Sequence, residues 1–262
     1  MPARSTLLFA LLLSAGAHAA DTALDSAGQI PDDRYHAVLA GDWRSAENRL
    51  RDPGRRPMET LRFFDLSASQ TVIEISPDDG WYSEILAPLL RDEGEYRVAL
   101  VRGSDSPLRS RLGQDKPPYD RVKIRDFDLQ TPVLGEPQSA DLVVSFDDAQ
   151  DWAASNNEIA MYEAVYQVLK PGGKFGVVAY RAERGAKPEA AEQTGYLPTE
   201  HVVQKAKDAG FVLATLEQMH SNPQDDRDRP AQQPGQEKAG YQEIGEPDRM
   251  TLLFVKPSEP RS

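Results

Sequence analysis

The sequence predicts an α/β protein built on a doubly wound, mostly parallel sheet, and three observations predict it. The β-branched run Thr71-Val-Ile-Glu-Ile75 is followed at once by a helical pattern with Tyr82, Ile85, Leu86, Leu89 and Leu90 on one face. The run Leu142-Val-Val144 is apolar without alternation, as suits a strand buried on both faces. Strand and helix patterns then keep alternating to the end of the chain, the signature of a parallel sheet covered by helices on both sides.

The elements follow in order. Residues 30–48 read as a helical lead-in with a turn at Ala40-Gly-Asp-Trp43. Arg51-Asp-Pro-Gly-Arg-Arg-Pro57 should break any helix, because proline lacks the amide donor and glycine loses the most entropy on ordering. Met58 to Phe64 fits a helix, Thr71 to Ile75 the first strand, and Trp81 to Leu90 a helix that Pro88 should kink. Strands are expected at Arg97 to Val101, Arg121 to Ile124 and Leu142 to Val144, the last running into Ser145-Phe146. An amphipathic helix from Glu158 to Leu169 stops at Lys170-Pro-Gly-Gly173, before a strand from Lys174 to Ala179. A helix from Thr199 to Ala209, closed by Gly210, leads to a strand at Phe211 to Leu216, and Met250 to Val255 is the last strand. Residues 221–247 are polar and rich in Gln, Asp, Pro and Gly, the composition of a long loop or lid.

Length and charge bound the function. A chain of 262 residues with net charge −12 buries an ample core and opposes docking on phosphate backbones or anionic bilayers. Nucleic acid is therefore not an expected partner, whereas a small-molecule ligand is. With no cysteine there is no disulfide framework, thiolate metal site or thiol nucleophile. Met1-Pro-Ala-Arg4, the apolar run Leu7 to Leu13 and the small-x-small Ala17-His-Ala19 form a signal peptide over residues 1–20, so export is expected, to the periplasm in a Gram-negative cell. The run is too short to span a bilayer, and no membrane insertion is expected after cleavage. The remaining organisation is a lead-in over 21–66, an α/β domain over 67–257 and a tail over 258–262.

In open sheets of this kind ligands bind beyond the carboxyl ends of the strands, where strand order reverses. That directs attention to residues 76–81, Arg102, Asp126, residues 146–152 and Tyr180. Glu74 at a strand end needs partners against its desolvation and reads as a site residue. Asp78 and Asp79 precede a helix and read first as caps for its amides, or else as ligand contacts. Trp81 and Tyr82 either pack the helix on the sheet or cover a ligand. Asp126, Asp147, Asp148 and Asp151 lie at the cleft mouth or are merely solvated acids; together they match no calcium-loop spacing. His201 and His220 stand apart from any second metal ligand and read as structural or surface residues, so no metal site is expected. The chain has no Gly-x-Ser-x-Gly elbow and no Gly-x-Gly-x-x-Gly turn after the first strand, which argues against a hydrolase or a nicotinamide enzyme.

Val72-Ile-Glu-Ile-Ser-Pro-Asp-Asp-Gly-Trp-Tyr-Ser-Glu-Ile-Leu86 resembles the first motif of class I S-adenosylmethionine-dependent methyltransferases, in the form found in exported bacterial members. Leu169-Lys-Pro-Gly-Gly173, Ala209-Gly-Phe211, Asn222-Pro-Gln-Asp225 and Asp248 to Pro257 extend the resemblance over the mature chain. It implies a Rossmann-like sheet of seven strands with the last antiparallel. It further implies a cofactor over Glu74, Ser76, Pro77, Asp78, Asp79, Gly80, Trp81 and Tyr82, with Asp126 near the adenine, Asp147 beside the cofactor, and Phe146, Trp152 and Tyr180 bordering the substrate. The chain departs from the family's glycine loop, having Ser76 and Asp78 at its first two glycine positions and keeping Gly80, and Arg102 follows the second strand in place of a ribose-binding acid. The resemblance implies a methyltransferase using S-adenosylmethionine on an acceptor outside the cytoplasm; the altered loop leaves open a non-catalytic protein of that fold binding another small molecule, a cation or a protein. Methyl transfer rests largely on alignment, so no catalytic residue is assigned.

Overall fold

The computed structural model describes residues 28–104, 107–155, 157–227 and 245–258. The expected signal peptide over residues 1–20 and most of the polar segment over 221–247 lie outside these residues. Among the described residues, no helix is long and apolar enough to cross a membrane.

Strands β1 (Thr71–Ile75), β2 (Glu95–Val101), β3 (Lys123–Phe127), β4 (Ala140–Phe146), β5 (Leu169–Tyr180), β6 (Val212–Glu217) and β7 (Arg249–Val255) form one sheet in the order β3-β2-β1-β4-β5-β7-β6. The pairs β1 with β2, β1 with β4, β2 with β3 and β4 with β5 are parallel. Strand β7 runs antiparallel to both β5 and β6. The seven-stranded architecture with an antiparallel last strand is thus the predicted one.

Side chains alternate between two cores, as the two-residue period of a strand requires. Val72, Val98, Leu142 and Val144 face a core shared with helices α1 (Asp32–Leu39), α4 (Pro57–Phe63), α5 (Ser83–Leu90) and α6 (Pro107–Leu112). Ile73, Ile75, Ala99, Val143 and Phe175 face the other, shared with α7 (Ala149–Ala154), α8 (Glu158–Val168) and α10 (Thr199–Asp208). The short α2 (Ala46–Leu50) and α3 (Asp52–Arg55) lie between α1 and α4 in the lead-in, and α9 (Ala191–Thr194) precedes α10.

Several local expectations are corrected. Arg51 to Pro57 does not break all helix: Asp52–Arg55 forms a single turn, with Pro53 at its start, where the missing amide is not needed, and left-handed Arg56 (φ 43°) ends it. Strand β3 runs to Phe127, past the expected end at Ile124, because Arg125, Asp126 and Phe127 pair with Ala99, Leu100 and Val101. Lys170-Pro-Gly-Gly173 is not a stop before β5 but its irregular beginning, since Leu169 pairs with Ala140 and Lys174 with Leu142. The extra residues are accommodated as an irregular insertion in which Gly172 takes φ 79°. Residues 149–152, expected in a loop, open helix α7.

Candidate functional site

The register of the parallel strands sets the site. Ile75 pairs with Ala99 and with Ser145, and Phe146 pairs with Val178, so the chain leaves β1, β4 and β5 at one level of the sheet. Two further bonds carry that level outward: Ser76 N–H donates to Ala99 O (2.9 Å) and Asp147 N–H to Val178 O (2.8 Å).

Beyond β1 the turn from Ser76 to Gly80 is wound by Asp78 N–H to Ser76 O (2.6 Å) and Gly80 N–H to Pro77 O (2.5 Å). Ser76, Asp78 and Gly80 have φ of 42°, 35° and 78°. The two non-glycine residues therefore hold the left-handed conformation that glycine adopts without strain, and the loop keeps a glycine-type backbone without the glycines. Gly80 is favoured by its φ of 78°; a Cβ there would also press on the side-chain ends of Leu108 and Arg111.

Glu74 is buried, and its Oε2 accepts hydrogen bonds from Ser83 Oγ (3.0 Å) and Tyr96 OH. Burial, outweighing these bonds and joined by the charges of Asp78 and Asp79, pushes its carboxyl up to about 8. Asp78 is not a helix cap: α5 starts at Ser83, and it is Asp79 Oδ1 that accepts Trp81 N–H (3.1 Å). Loss of hydration among the cleft atoms, then the charges of Asp147, Asp79 and Asp151, push the Asp78 carboxyl up to about 7. Asp78 is exposed at the surface, so water moderates both causes.

At the end of β4, Asp147 (φ 63°) receives Arg249 Nε at 3.0 and 3.2 Å. Asp148 is buried, and Ser145 Oγ donates to it at 2.8 Å. Burial first, and the neighbouring Asp78 next, hold its carboxyl well above the usual carboxylate range. Asp151 is likewise raised, by desolvation and by Asp147. The acids of the two loops thus face one another at the switch point between β1 and β4. Among the described residues, no group of three or more His, Asp or Glu side chains is placed to hold a metal ion.

Beside this acidic edge lies a small, half-open cleft with room for about one water, lined by Arg55, Tyr82, Phe146, Asp147, Val178, His220 and Arg249. Tyr82 and Phe146 stack with centroids 3.4 Å apart and planes 10° from parallel. The Arg249 guanidinium lies 4.9 Å above the Tyr180 ring. Its charge is matched by Asp147 and by Glu246 Oε2 at 2.8 Å.

The lead-in roofs the β1 loop. Arg51 pairs with Asp79, Trp81 Nε1 donates to Asn48 O (2.7 Å), and Arg55 stands 5.2 Å over the Trp81 ring. Trp81 therefore packs under the roof, while Tyr82 reaches the cleft.

The structure brings together Glu74, residues 76–82, Phe146 and Asp147. It does not bring Trp152 to the cleft: that ring is buried in the second core, edge-on to Tyr162 at 5.6 Å. Asp126 lies within edge strand β3, two strands from β1, exposed and paired with Arg109. His201 pairs with Glu158 (2.9 Å) on α8. His220, expected to be structural or on the surface, is buried and lines the cleft, with Nδ1 2.7 Å from Thr251 Oγ1 and Nε2 2.9 Å from Arg55 O. Desolvation holds its pKa below the usual histidine value. Arg55, Val178 and Arg249 are not singled out in the sequence, and His220 is read there outside any site: the four come from separate segments, and no spacing relates them.

No protein-family model matches the chain, and no curated protein matches it in sequence. Solved structures do match in fold. A SAM-dependent methyltransferase from Aquifex aeolicus is 14% identical, with 79% of this chain and 95% of that chain covered, at a TM-score of 0.54. Geranyl diphosphate methyltransferase in complex with SAM is 12% identical, with coverages of 84% and 94%, at 0.57. The cyclase SpnF is 15% identical, with coverages of 84% and 86%, also at 0.57. The fold is that of the class I SAM-dependent methyltransferases.

Proposed function

We propose that this protein is an S-adenosylmethionine-dependent methyltransferase, exported by its signal peptide and acting on an acceptor outside the cytoplasm. The observation that carries the reading is the pairing, at the switch point, of a glycine-type loop backbone with an acidic and aromatic cleft edge. The turn from Ser76 to Gly80 presents its backbone where close approach of a ligand is needed. The Asp147 carboxylate, ion-paired with Arg249, lies next to the Tyr82 and Phe146 rings, an environment that stabilises a compact organic cation such as a sulfonium.

When bound, the cofactor would supply an electrophilic methyl group, and the chain's part is to orient and to exclude water. Ser76 to Gly80 would cradle the amino-acid end and the Asp147 carboxylate would favour the positive centre. Phe146 and Tyr82 would wall the acceptor side. His220 and Arg249 fix the lead-in and Asp147 in place.

Calorimetric titration of the protein with S-adenosylmethionine and S-adenosylhomocysteine tests the reading. Binding in the micromolar range is expected; no heat and no thermal stabilisation at millimolar ligand would overturn it.

A further inference from the structure

We propose, resting on the transferase reading above, that Arg111 is a positioning residue that clamps the turn after β1 in the shape that receives the cofactor. The turn needs a clamp. Ser76 and Asp78 hold φ of 42° and 35° without being glycine, and such a backbone persists only where its surroundings over-determine it.

The clamp closes on one peptide unit, the one between Asp79 and Gly80. Its N–H donates to Pro77 O at 2.5 Å, and its carbonyl oxygen accepts from Arg111 Nη2 on α6. A peptide unit is planar and stiff, so holding it at both ends fixes how the chain enters Gly80, whose φ is 78°. Arg51 grips Asp79 as well, from the lead-in. That pair is reached by water and holds a side chain rather than the backbone, so the shape of the turn rests on Arg111.

The arginine is itself held from its far side. Nη1 donates to Glu84 Oε1 at 3.1 Å, and the Glu84 amide donates to Gly80 O at 3.0 Å. Arg111, Asp79, Gly80 and Glu84 thus close a ring that joins α6 to the first turn of α5 through the loop. Glu84 is fully buried, and Arg44 Nε stands 3.6 Å from its other oxygen. A buried carboxylate adds little net stability even when paired, so its place here is explained by the geometry it imposes on Arg111.

The test measures S-adenosylhomocysteine affinity by calorimetry, and amide hydrogen exchange, on the full chain, R111M and R111K, each also in a D78G background. R111M is expected to weaken S-adenosylhomocysteine about tenfold and to speed exchange at the Gly80 amide about tenfold, leaving Ile73 and Val143 in the sheet unchanged. R111K keeps the charge without the fork and should recover part of both effects. D78G removes one of the strained residues, so in that background R111M should weaken binding about threefold or less. Equal acceleration at Gly80 and in the sheet overturns the proposal, because Arg111 would then stabilise the fold as a whole. Unchanged affinity in R111M overturns it too. So does a loss of affinity without faster exchange at Gly80, or one undiminished by D78G, since the arginine would then touch the ligand directly. Should the unaltered protein bind no S-adenosylhomocysteine, the transferase reading falls, and exchange at Gly80 alone decides whether Arg111 clamps the turn.

Discussion

Trp43 Nε1 donates a 2.9 Å hydrogen bond to the carbonyl oxygen of Glu84, the acceptor that Pro88 leaves without its helical amide. The proline sits inside α5, where an amide at position 88 would have bonded back to residue 84. An indole from the lead-in supplies the missing donor and ties the roof of the cleft to the helix beneath it.

That relationship makes a double-mutant prediction. W43F keeps most of the ring but leaves Glu84 O unpaired, and should destabilise the fold by about 1 kcal/mol. In a P88A background the restored amide takes over the carbonyl, so the same W43F change should cost markedly less. Denaturant midpoints of the four proteins check this, and an undiminished cost in the P88A background would show that the indole stabilises by packing alone.

Glu74 should give the stability a pH slope. Its folded pKa is raised, to about 8, against an ordinary carboxyl value of 4.5, so the folded state binds the proton more tightly than the unfolded chain. The contribution is fully present below about 4.5 and is lost as pH rises toward 8. E74Q keeps a hydrogen-bonding group near Ser83 and Tyr96 without the charge, and thermal melts across that window should show a flatter pH dependence than the unaltered protein.

Asp78 holds an L-residue at φ 35° and faces three other acids. D78G should relieve about 1 kcal/mol of backbone strain and like-charge repulsion, partly offset by the entropy of glycine in the unfolded chain. It should also open the turn to closer approach and tighten S-adenosylmethionine binding about tenfold, since a carboxylate no longer faces the cofactor's own. Calorimetry on the variant decides: affinity unchanged or weakened would remove this loop from the cofactor cradle.

Much of this fold was legible in the sequence, and the reason lies in where the signals are local. Thr71 to Ile75, Leu142 to Val144 and Met250 to Val255 are buried in the sheet, so their apolar and β-branched character announces them. Helices of four to six residues, such as α3, α6 and α7, span too few turns to show a period, and went unread. The β1 side of the site was legible because Ser76 to Tyr82 are contiguous. Its other walls were not: the lead-in brings Arg55 to the cleft, the segment after β6 brings His220, and β7 brings Arg249. Those meetings depend on strand order and on long-range ion pairs such as Arg51 with Asp79, which no window of residues contains.

The segment after β6 is itself anchored by charge, and Asp248 is the anchor. Its buried carboxylate receives Arg181 through Nε (2.9 Å) and Nη2 (2.6 Å), Arg227 through Nη2 (2.6 Å), and the Asn222 amide (2.7 Å). Against the desolvation that would raise it, the two guanidinium partners and the amide hold its pKa below the usual value of 3.8. A lowered folded pKa means stability that is present above about 3.8 and lost as pH falls through the folded value. D248A leaves two arginines facing a vacated acceptor and should cost about 3 to 5 kcal/mol, well beyond a surface ion pair. D248N, which keeps the shape and one acceptor oxygen, should cost less and should remove the acid-side loss of stability. Equilibrium unfolding at pH 7 and pH 3 separates the two terms, and hydrogen exchange at the amides of residues 222–227 reports whether the segment carrying His220 toward the cleft loosens with its anchor. A D248A protein as stable as the parent would mean that Tyr196 and Asp225, joined at 2.8 Å, hold this segment without the arginines.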